Sequence, residues 1–271
     1  MNNLIKRSLT GLVFVVVVVG AIAINKWLFL ILFLGIIVLG MNEFYNLVSQ
    51  KNINVQRING IIIGVSVFIS NYFYAQSLIG SKIFLVVIFL VVSVFIIELY
   101  RKKEKPFINI AYTIIAVLYI AVPFSLVNYI VFLNSSTIYN SHLLLGFLFL
   151  TWSYDSFAYV FGVSFGRHRL FERISPKKSW EGFLGGVLLS LLTAYIISLF
   201  FKDLEFRQWI FVSIIASIIG TFGDLTESML KRSENVKDAG NILPGHGGIL
   251  DRFDAVLLSL PIYFIYLQLI S

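Results

Sequence analysis

The sequence predicts an all-α polytopic membrane protein, and three observations predict it. Of the 271 residues, 58% are apolar and only 13% are charged, against roughly 45–50% and about 25% in an average soluble chain. The apolar residues gather in nine runs, most of them near the ~20 residues that a spanning helix needs. The basic residues fall very unequally on the two sides of those runs. Disorder is excluded, because it requires low hydrophobicity and high charge. Cysteine is absent, which removes disulfide frameworks, thiolate metal sites and a cysteine nucleophile. The net charge of +7 comes from 21 basic and 14 acidic residues. None of it forms a like-charge block of the kind that binds nucleic acid, so no nucleic-acid partner is expected.

The spans follow in order. The first, 8–24, holds the valine-rich run Leu12 to Val19, and little more than Asn25-Lys26 separates it from 27–48. Next come 58–77, 82–99 and 108–132, then 142–163, 180–201, 208–226 and 255–270. The last is short enough to begin inside the preceding loop. With a cytoplasmic N-terminus, 17 basic residues lie inside: Lys6, Arg7, Lys51, Arg57, Arg101, Lys102, Lys103, Lys105, Arg167, Arg169, Arg173, Lys177, Lys178, Lys231, Arg232, Lys237 and Arg252. Only 4 lie outside: Lys26, Lys82, Lys202 and Arg207. Positive charge favours the cytoplasmic side, so the expected topology has nine spans, the N-terminus inside and the C-terminus outside. Lys6-Arg7, the apolar run and Ala21-Ile22-Ala23 also resemble a cleavable signal peptide. An uncleaved first helix is expected instead, because further spans follow at once and cleavage would remove an inside anchor.

The chain divides by character. Residues 1–140 read as scaffold helices, with Glu43 and Glu98 near helix ends where a carboxylate can reach interfacial water. Residues 141–271 read as a second membrane region, set apart by ionisable residues that gather toward the cytoplasmic side. Ionisable groups inside spans are costly and mark functional sites or buried partners. Asp155 lies in the sixth span. Asp224 and Glu227 close the eighth, three apart and therefore on one helix face. Asp251 and Asp254 repeat that spacing beyond the intervening loop. Hard divalent cations such as Mg²⁺ take oxygen ligands, commonly a few carboxylates together with substrate phosphates and water. The competing reading is helix-end ion pairing, for example Glu227 with Lys231 at spacing four.

Between the acidic pairs runs a basic, glycine-rich stretch: Lys231-Arg232, Lys237-Asp238, then Pro244-Gly245-His246-Gly247-Gly248. Glycines let backbone approach a ligand closely, successive amides can cradle an anion, and lysine and arginine complement phosphate oxygens. The stretch favours a polyphosphate ligand. His246 fits a ligand, an acid or a structural hydrogen-bonding group. Before the seventh span, Ser175-Pro176-Lys177-Lys178-Ser179-Trp180-Glu181-Gly182 offers a second basic element. There Ser179 is expected to cap the helix, and the two lysines fit either anion contacts at its N-terminus or ordinary positive-inside anchoring.

These residues resemble a known family, the phosphatidate cytidylyltransferases (CDP-diacylglycerol synthases). The resemblance is carried by Ser228-Met229-Leu230-Lys231-Arg232, then Lys237-Asp238, then Pro244-Gly245-His246-Gly247-Gly248-Ile249-Leu250-Asp251-Arg252-Phe253-Asp254. No residue departs from the family pattern across that stretch. Ser175 to Gly182 and the Asp155, Tyr159, Gly162 pattern resemble two further family segments, with Phe157 departing where a small residue is expected. The resemblance implies Mg²⁺-dependent transfer of cytidylyl from CTP to phosphatidate in the bacterial cytoplasmic (inner) membrane, feeding phospholipid synthesis. The partners are then CTP, phosphatidate and membrane lipid. On that reading Asp224 and Asp251 hold metal, with Glu227, Asp254 and Asp155 as outer ligands. Lys231 and Arg232 act on phosphates with Asp224 and Asp251 as the catalytic set. Lys177, Lys178, Ser228, Lys237, Asp238, His246, Gly247, Gly248 and Arg252 bind substrate. The oligomeric state is left open, a homodimer included.

Two rival classes make different demands. An intramembrane aspartyl protease would use Tyr154-Asp155 and Gly223-Asp224, but Thr221 stands where its Gly-x-Gly-Asp pattern needs glycine, and no Pro-Ala-Leu motif occurs. It also gives no reason for Lys231, Arg232 and Lys237. A secondary transporter would place its ionisable groups near the midplane between inverted halves. Here they gather toward one side, and no paired halves are visible.

Overall fold

A computed structural model describes residues 3–49, 53–133, 138–236, 238–240, 242 and 247–270, with backbone alone for 3–9. Every run expected to span is helical. Helix α1 covers Asn3–Ile24, α2 Lys26–Val48, α3 Arg57–Ala75 and α4 Phe84–Arg101. The fifth span is broken into α5 (Pro106–Ala116), a π-turn over Val117–Ala121, α6 (Val122–Ser125) and α7 (Val127–Val131). Pro123 stands in the first turn of α6, where its missing N–H and fixed φ disturb the ladder least. Then follow α8 (His142–Phe165), α9 (Trp180–Phe200), α10 (Phe206–Ser233) and α11 (Leu250–Ile270). Among the described residues eight helical segments are long and apolar enough to cross a membrane, and the apolar part of α1, Thr10–Ile24, is shorter. The chain is an all-α, multi-pass membrane protein.

One local expectation is corrected, one is met, and one element is new. Helix α10 runs past residue 226 to Ser233, so Lys231 and Arg232 sit in its last turn and not in the loop. Basic side chains there suit the negative end of the helix dipole. Helix α11 starts at Leu250, five residues before 255 and inside the preceding loop, as its short apolar run allowed. A short antiparallel hairpin, β1 (Arg169–Phe171) with β2 (Ser175–Ser179), joins α8 to α9. Its charged residues and Pro176 carry no alternating apolar signal. Asn25 explains the tight join of the first two spans. Its side chain accepts from Trp27 N (2.9 Å) and Leu28 N (3.0 Å), ending one helix and capping the next.

The chain forms two compact units: residues 1–140 with 234–252, and residues 141–233 with 253–271. The first has an aromatic core in which Phe33 lies 4.9 Å from Phe29 and 5.8 Å from Phe124, ring centre to ring centre. Gly60 and Gly64, one turn apart on α3, leave room for Tyr45 and Met41 of α2, whose side chains occupy the space a Cβ would need. Close approach through small residues is how helices associate where lipid supplies no hydrophobic drive. Glu43 and Glu98, expected near interfacial water, are instead 2% and 5% exposed. Polar partners make that burial tolerable. Glu98 accepts from Gln56 Nε2 (2.7 Å) and Asn109 Nδ2 (2.9 Å) and pairs with Arg101 (2.8 Å).

In the second unit α8 and α9 cross at glycines. A Cβ on Gly182 would meet Ala158 O at 2.7 Å and Gly162 Cα at 3.0 Å. Hydroxyls pair between helices, the buried Ser190 with Ser213 at 2.8 Å and the half-buried Ser153 with Thr193 at 2.7 Å. Phe147 stacks on Tyr263 at 4.7 Å, and the Tyr263 hydroxyl donates to Leu143 O at 3.0 Å. Gly146 lies against the buried Trp209 indole, which fills the space of any added Cβ. Gly146→Ala is therefore expected to cost about 1–3 kcal/mol through overpacking, read as a lower melting temperature of the purified protein in detergent. An unchanged melting temperature would contradict this packing.

Candidate functional site

The second unit gathers acidic groups inside apolar helices. On α10, a 28-residue helix, Asp224 and Glu227 stand one turn apart. Gly223 has no side chain to hold α11 away, and a Cβ there would meet Asp254 O at 2.5 Å. This close crossing brings α10 and Asp254 together. Asp254 then lies in the electrostatic field of Asp224, Glu227 and Asp155. Asp254 is half-buried, Asp155 is exposed on α8, and Glu227 is wholly buried. So many carboxylates in one patch of a spanning region repel one another unless cations balance them.

Two lysines supply part of that balance. The Lys178 ammonium, at the end of β2, pairs with Asp224 Oδ2, the two side chains being 26% and 28% exposed. Ser228 Oγ donates to the other oxygen of Asp224 at 3.2 Å. Lys231 Nζ donates to Glu227 Oε2 at 2.8 Å within α10, so the helix-end pair that spacing four allowed is formed. Ser179 caps α9 as expected, accepting from Gly182 N at 3.2 Å. Glu181 folds back and accepts from the backbone amides of Arg167 (3.0 Å) and His168 (3.2 Å), and it pairs with the His168 ring at 2.6 Å. That clamp ties the hairpin to the start of α9 and so fixes where Lys178 emerges. Lys177 and Arg232 are exposed.

The first unit holds the other half of the motif. Asp251 Oδ2 accepts from Ala239 N (2.9 Å) and Gly248 N (2.7 Å), folding the segment before α11 onto its first turn. Gly247 has φ +82°, a left-handed conformation that favours glycine, and a Cβ there would meet Asp251 Oδ2 at 2.6 Å. Gly248 is buried, Asp238 exposed, and Arg252 half-buried with its Nε shielded from solvent. Lys237, His246 and the Pro244-Gly245 pair lie outside the described residues.

The structure therefore places Asp224, Glu227 and Asp155 within electrostatic reach of Asp254, with Lys178 and Ser228 bonded to Asp224 and Lys231 to Glu227. Among the described residues no three acidic or histidine side chains form a set already arranged as a metal cage. The donor chemistry nonetheless fits a hard cation. All the donors are carboxylate oxygens, and Mg²⁺ is commonly held by one or two of these plus phosphates and water. Sequence reasoning missed Glu43, whose Oε1 and Oε2 accept from Ile249 N and Leu250 N, each at 2.9 Å. A glutamate inside an apolar span was a visible signal, but a partner 206 positions away was not. The Glu181 clamp was missed because its hairpin was.

Comparison with known proteins places the whole chain beside one group of membrane enzymes. A stretch of 168 residues is 40% identical to a protein named phosphatidate cytidylyltransferase from Staphylococcus haemolyticus (strain JCSC1435), covering 61% of this chain and 62% of that protein. A protein of the same name from Bacillus subtilis (strain 168) is 31% identical over 278 residues, covering all of both chains. The one from Staphylococcus aureus (strain COL) is 39% identical over 168 residues, covering 61% and 62%. The model of the cytidylyltransferase family matches residues 5–270. With its acidic helix faces, its basic hairpin and nearly its whole length accounted for by that match, the chain belongs to the cytidylyltransferase family.

Proposed function

We propose that this protein transfers the cytidylyl group of CTP to phosphatidate, releasing pyrophosphate and forming CDP-diacylglycerol for phospholipid synthesis. A phosphate oxygen of phosphatidate bonds to the α-phosphorus of CTP as the bond to the β,γ-diphosphate breaks. The attacking oxygen is already anionic, so no strong base is required. The obstacle is repulsion between two polyanions, and charge neutralisation by placed groups is the main remedy. The observation that carries this reading is the Asp224 carboxylate, held between Lys178 and Ser228 in a spanning helix and within electrostatic reach of Asp254.

Asp224 is proposed to hold Mg²⁺, with Asp254, Glu227 and Asp155 as outer ligands. Asp251 is proposed as a ligand on its sequence motif. Bound Mg²⁺ would supply Lewis-acid neutralisation of phosphate oxygens. Lys178 neutralises Asp224 while no substrate is present and turns to a phosphate when one arrives. Ser228 keeps the Asp224 carboxylate oriented through that exchange. Lys177, Arg232 and Arg252 are proposed phosphate contacts, with Lys231, Lys237, Asp238, His246, Gly247 and Gly248 in the substrate-binding set. The basic residues favour a cytoplasmic N-terminus and an active site on the cytoplasmic face of the bacterial inner membrane. A homodimer is compatible with this reading, and a nucleic-acid partner is not part of it.

The test is incubation of purified protein with CTP labelled in the cytidine, with phosphatidate vesicles, with and without Mg²⁺. Label is expected in lipid only when both phosphatidate and Mg²⁺ are present. Label that never enters lipid would sink the reading.

A further inference from the structure

We propose that Glu43 is a positioning residue for Asp251, acting from a helix otherwise devoted to packing. The inference rests on the transfer reaction proposed above, because it assigns Asp251 a task that depends on its placement. A helix start leaves its first amides without intrahelical partners. At the start of α11 three successive amides are claimed by carboxylates: Gly248 N by Asp251, Ile249 N and Leu250 N by Glu43. The two Glu43 bonds are separate, one to each oxygen, so they fix direction as well as distance. Glu43 is itself wedged. A Cβ on Gly240 would meet its Oε1 at 2.5 Å, and one on Gly248 would meet its Oε2 at 2.5 Å. Backbone on both sides of the incoming segment therefore closes over this carboxylate.

A buried carboxylate is tolerated when hydrogen bonds compensate its lost hydration. Glu43, only 2% exposed, makes them with the segment that carries Asp251. Asp251 in turn uses Oδ2 to bind Ala239 N and Gly248 N. The two carboxylates thus grip one short backbone stretch, and moving either moves the other. Glu43 touches neither phosphate nor cation in this scheme. Its effect reaches the chemistry only through where Asp251 points.

The experiment uses the full-length protein in detergent, with Glu43→Gln, Glu43→Asp and Gly240→Ala. Glutamine keeps the size but sets an N–H₂ against one backbone N–H. The glycine change keeps the charge and crowds it. Steady-state kinetics are measured alongside hydrogen exchange of the amides of Gly248 to Arg252. Glu43→Gln is expected to lower kcat by about 10- to 100-fold, with KM for CTP changed less than about threefold. Exchange should accelerate at Ile249 and Leu250 and stay as in wild type elsewhere. Glu43→Asp should recover part of kcat, and Gly240→Ala should reproduce the glutamine signature. Wild-type kcat or wild-type exchange in Glu43→Gln overturns the proposal, and so does faster exchange spread evenly over all helices. If Glu43→Gln does not fold, Gly240→Ala decides by the same criteria. Exchange is read without substrate, so an inactive wild-type protein would count against the transfer reaction alone.

Discussion

Asp224→Asn is expected to reduce turnover of CTP with phosphatidate by about 10³-fold at saturating Mg²⁺, with little change in melting temperature. The carboxylate is only partly buried, and it is bonded to Lys178 on one oxygen and to Ser228 on the other. Asparagine preserves the shape and one acceptor oxygen, so the fold keeps most of its contacts. What it loses is the charge that would hold a cation and would keep Lys178 in waiting. An exposed ion pair alone contributes roughly 0–1 kcal/mol, which is too little for its loss to unfold the bundle. A rate loss on this scale with an intact fold therefore points to the chemistry. Turnover close to wild type would remove Asp224 from it.

Glu227→Gln is expected to act in the opposite way, first on the fold. Glu227 has no solvent-exposed side-chain surface, and its partner Lys231 is 10% exposed. Removing one member of a buried pair strands the other's charge, a loss of about 3–5 kcal/mol. Chemical or thermal unfolding in detergent reads it directly. The double change Glu227→Gln with Lys231→Met removes the stranded charge too and is expected to restore most of the stability. Turnover should not return with it, because a proposed substrate-binding lysine and a proposed outer ligand are both gone. If Glu227→Gln alone stays within about 1 kcal/mol of wild type, the pair is not the buried ion pair described above.

The spans were legible because apolar length is a one-dimensional signal that does not depend on partners. Ser179 was legible as a cap for the same reason, since its bond to Gly182 N is three residues away. The ends of α10 and α11 were not. Apolar periodicity stops at Asp224 and resumes at Ala255, yet helical backbone continues through Glu227 and Lys231 on one side and begins at Leu250 on the other. There the intrahelical ion pair and the carboxylate caps replace hydrophobic patterning. Glu43 shows the same limit more sharply. Its residue type was conspicuous, but water was the nearest partner that the sequence could suggest. The acidic cluster was readable as spacing on each helix. That Gly223 lets Asp254 approach it depends on a crossing that spacing does not encode.

Helix α10 has a consequence for how the protein meets lipid. At 28 residues and about 1.5 Å per residue it is roughly 42 Å long, while a bilayer's hydrocarbon layer measures about 30 Å. The turns that carry Glu227, Lys231 and Arg232 thus reach beyond the oily layer if the other end is seated at its margin. A lipid drifting sideways in its leaflet can present its head to those turns without leaving the leaflet. Encounter then becomes a planar search, governed by how densely the proposed lipid substrate populates the surface and not by its amount per litre.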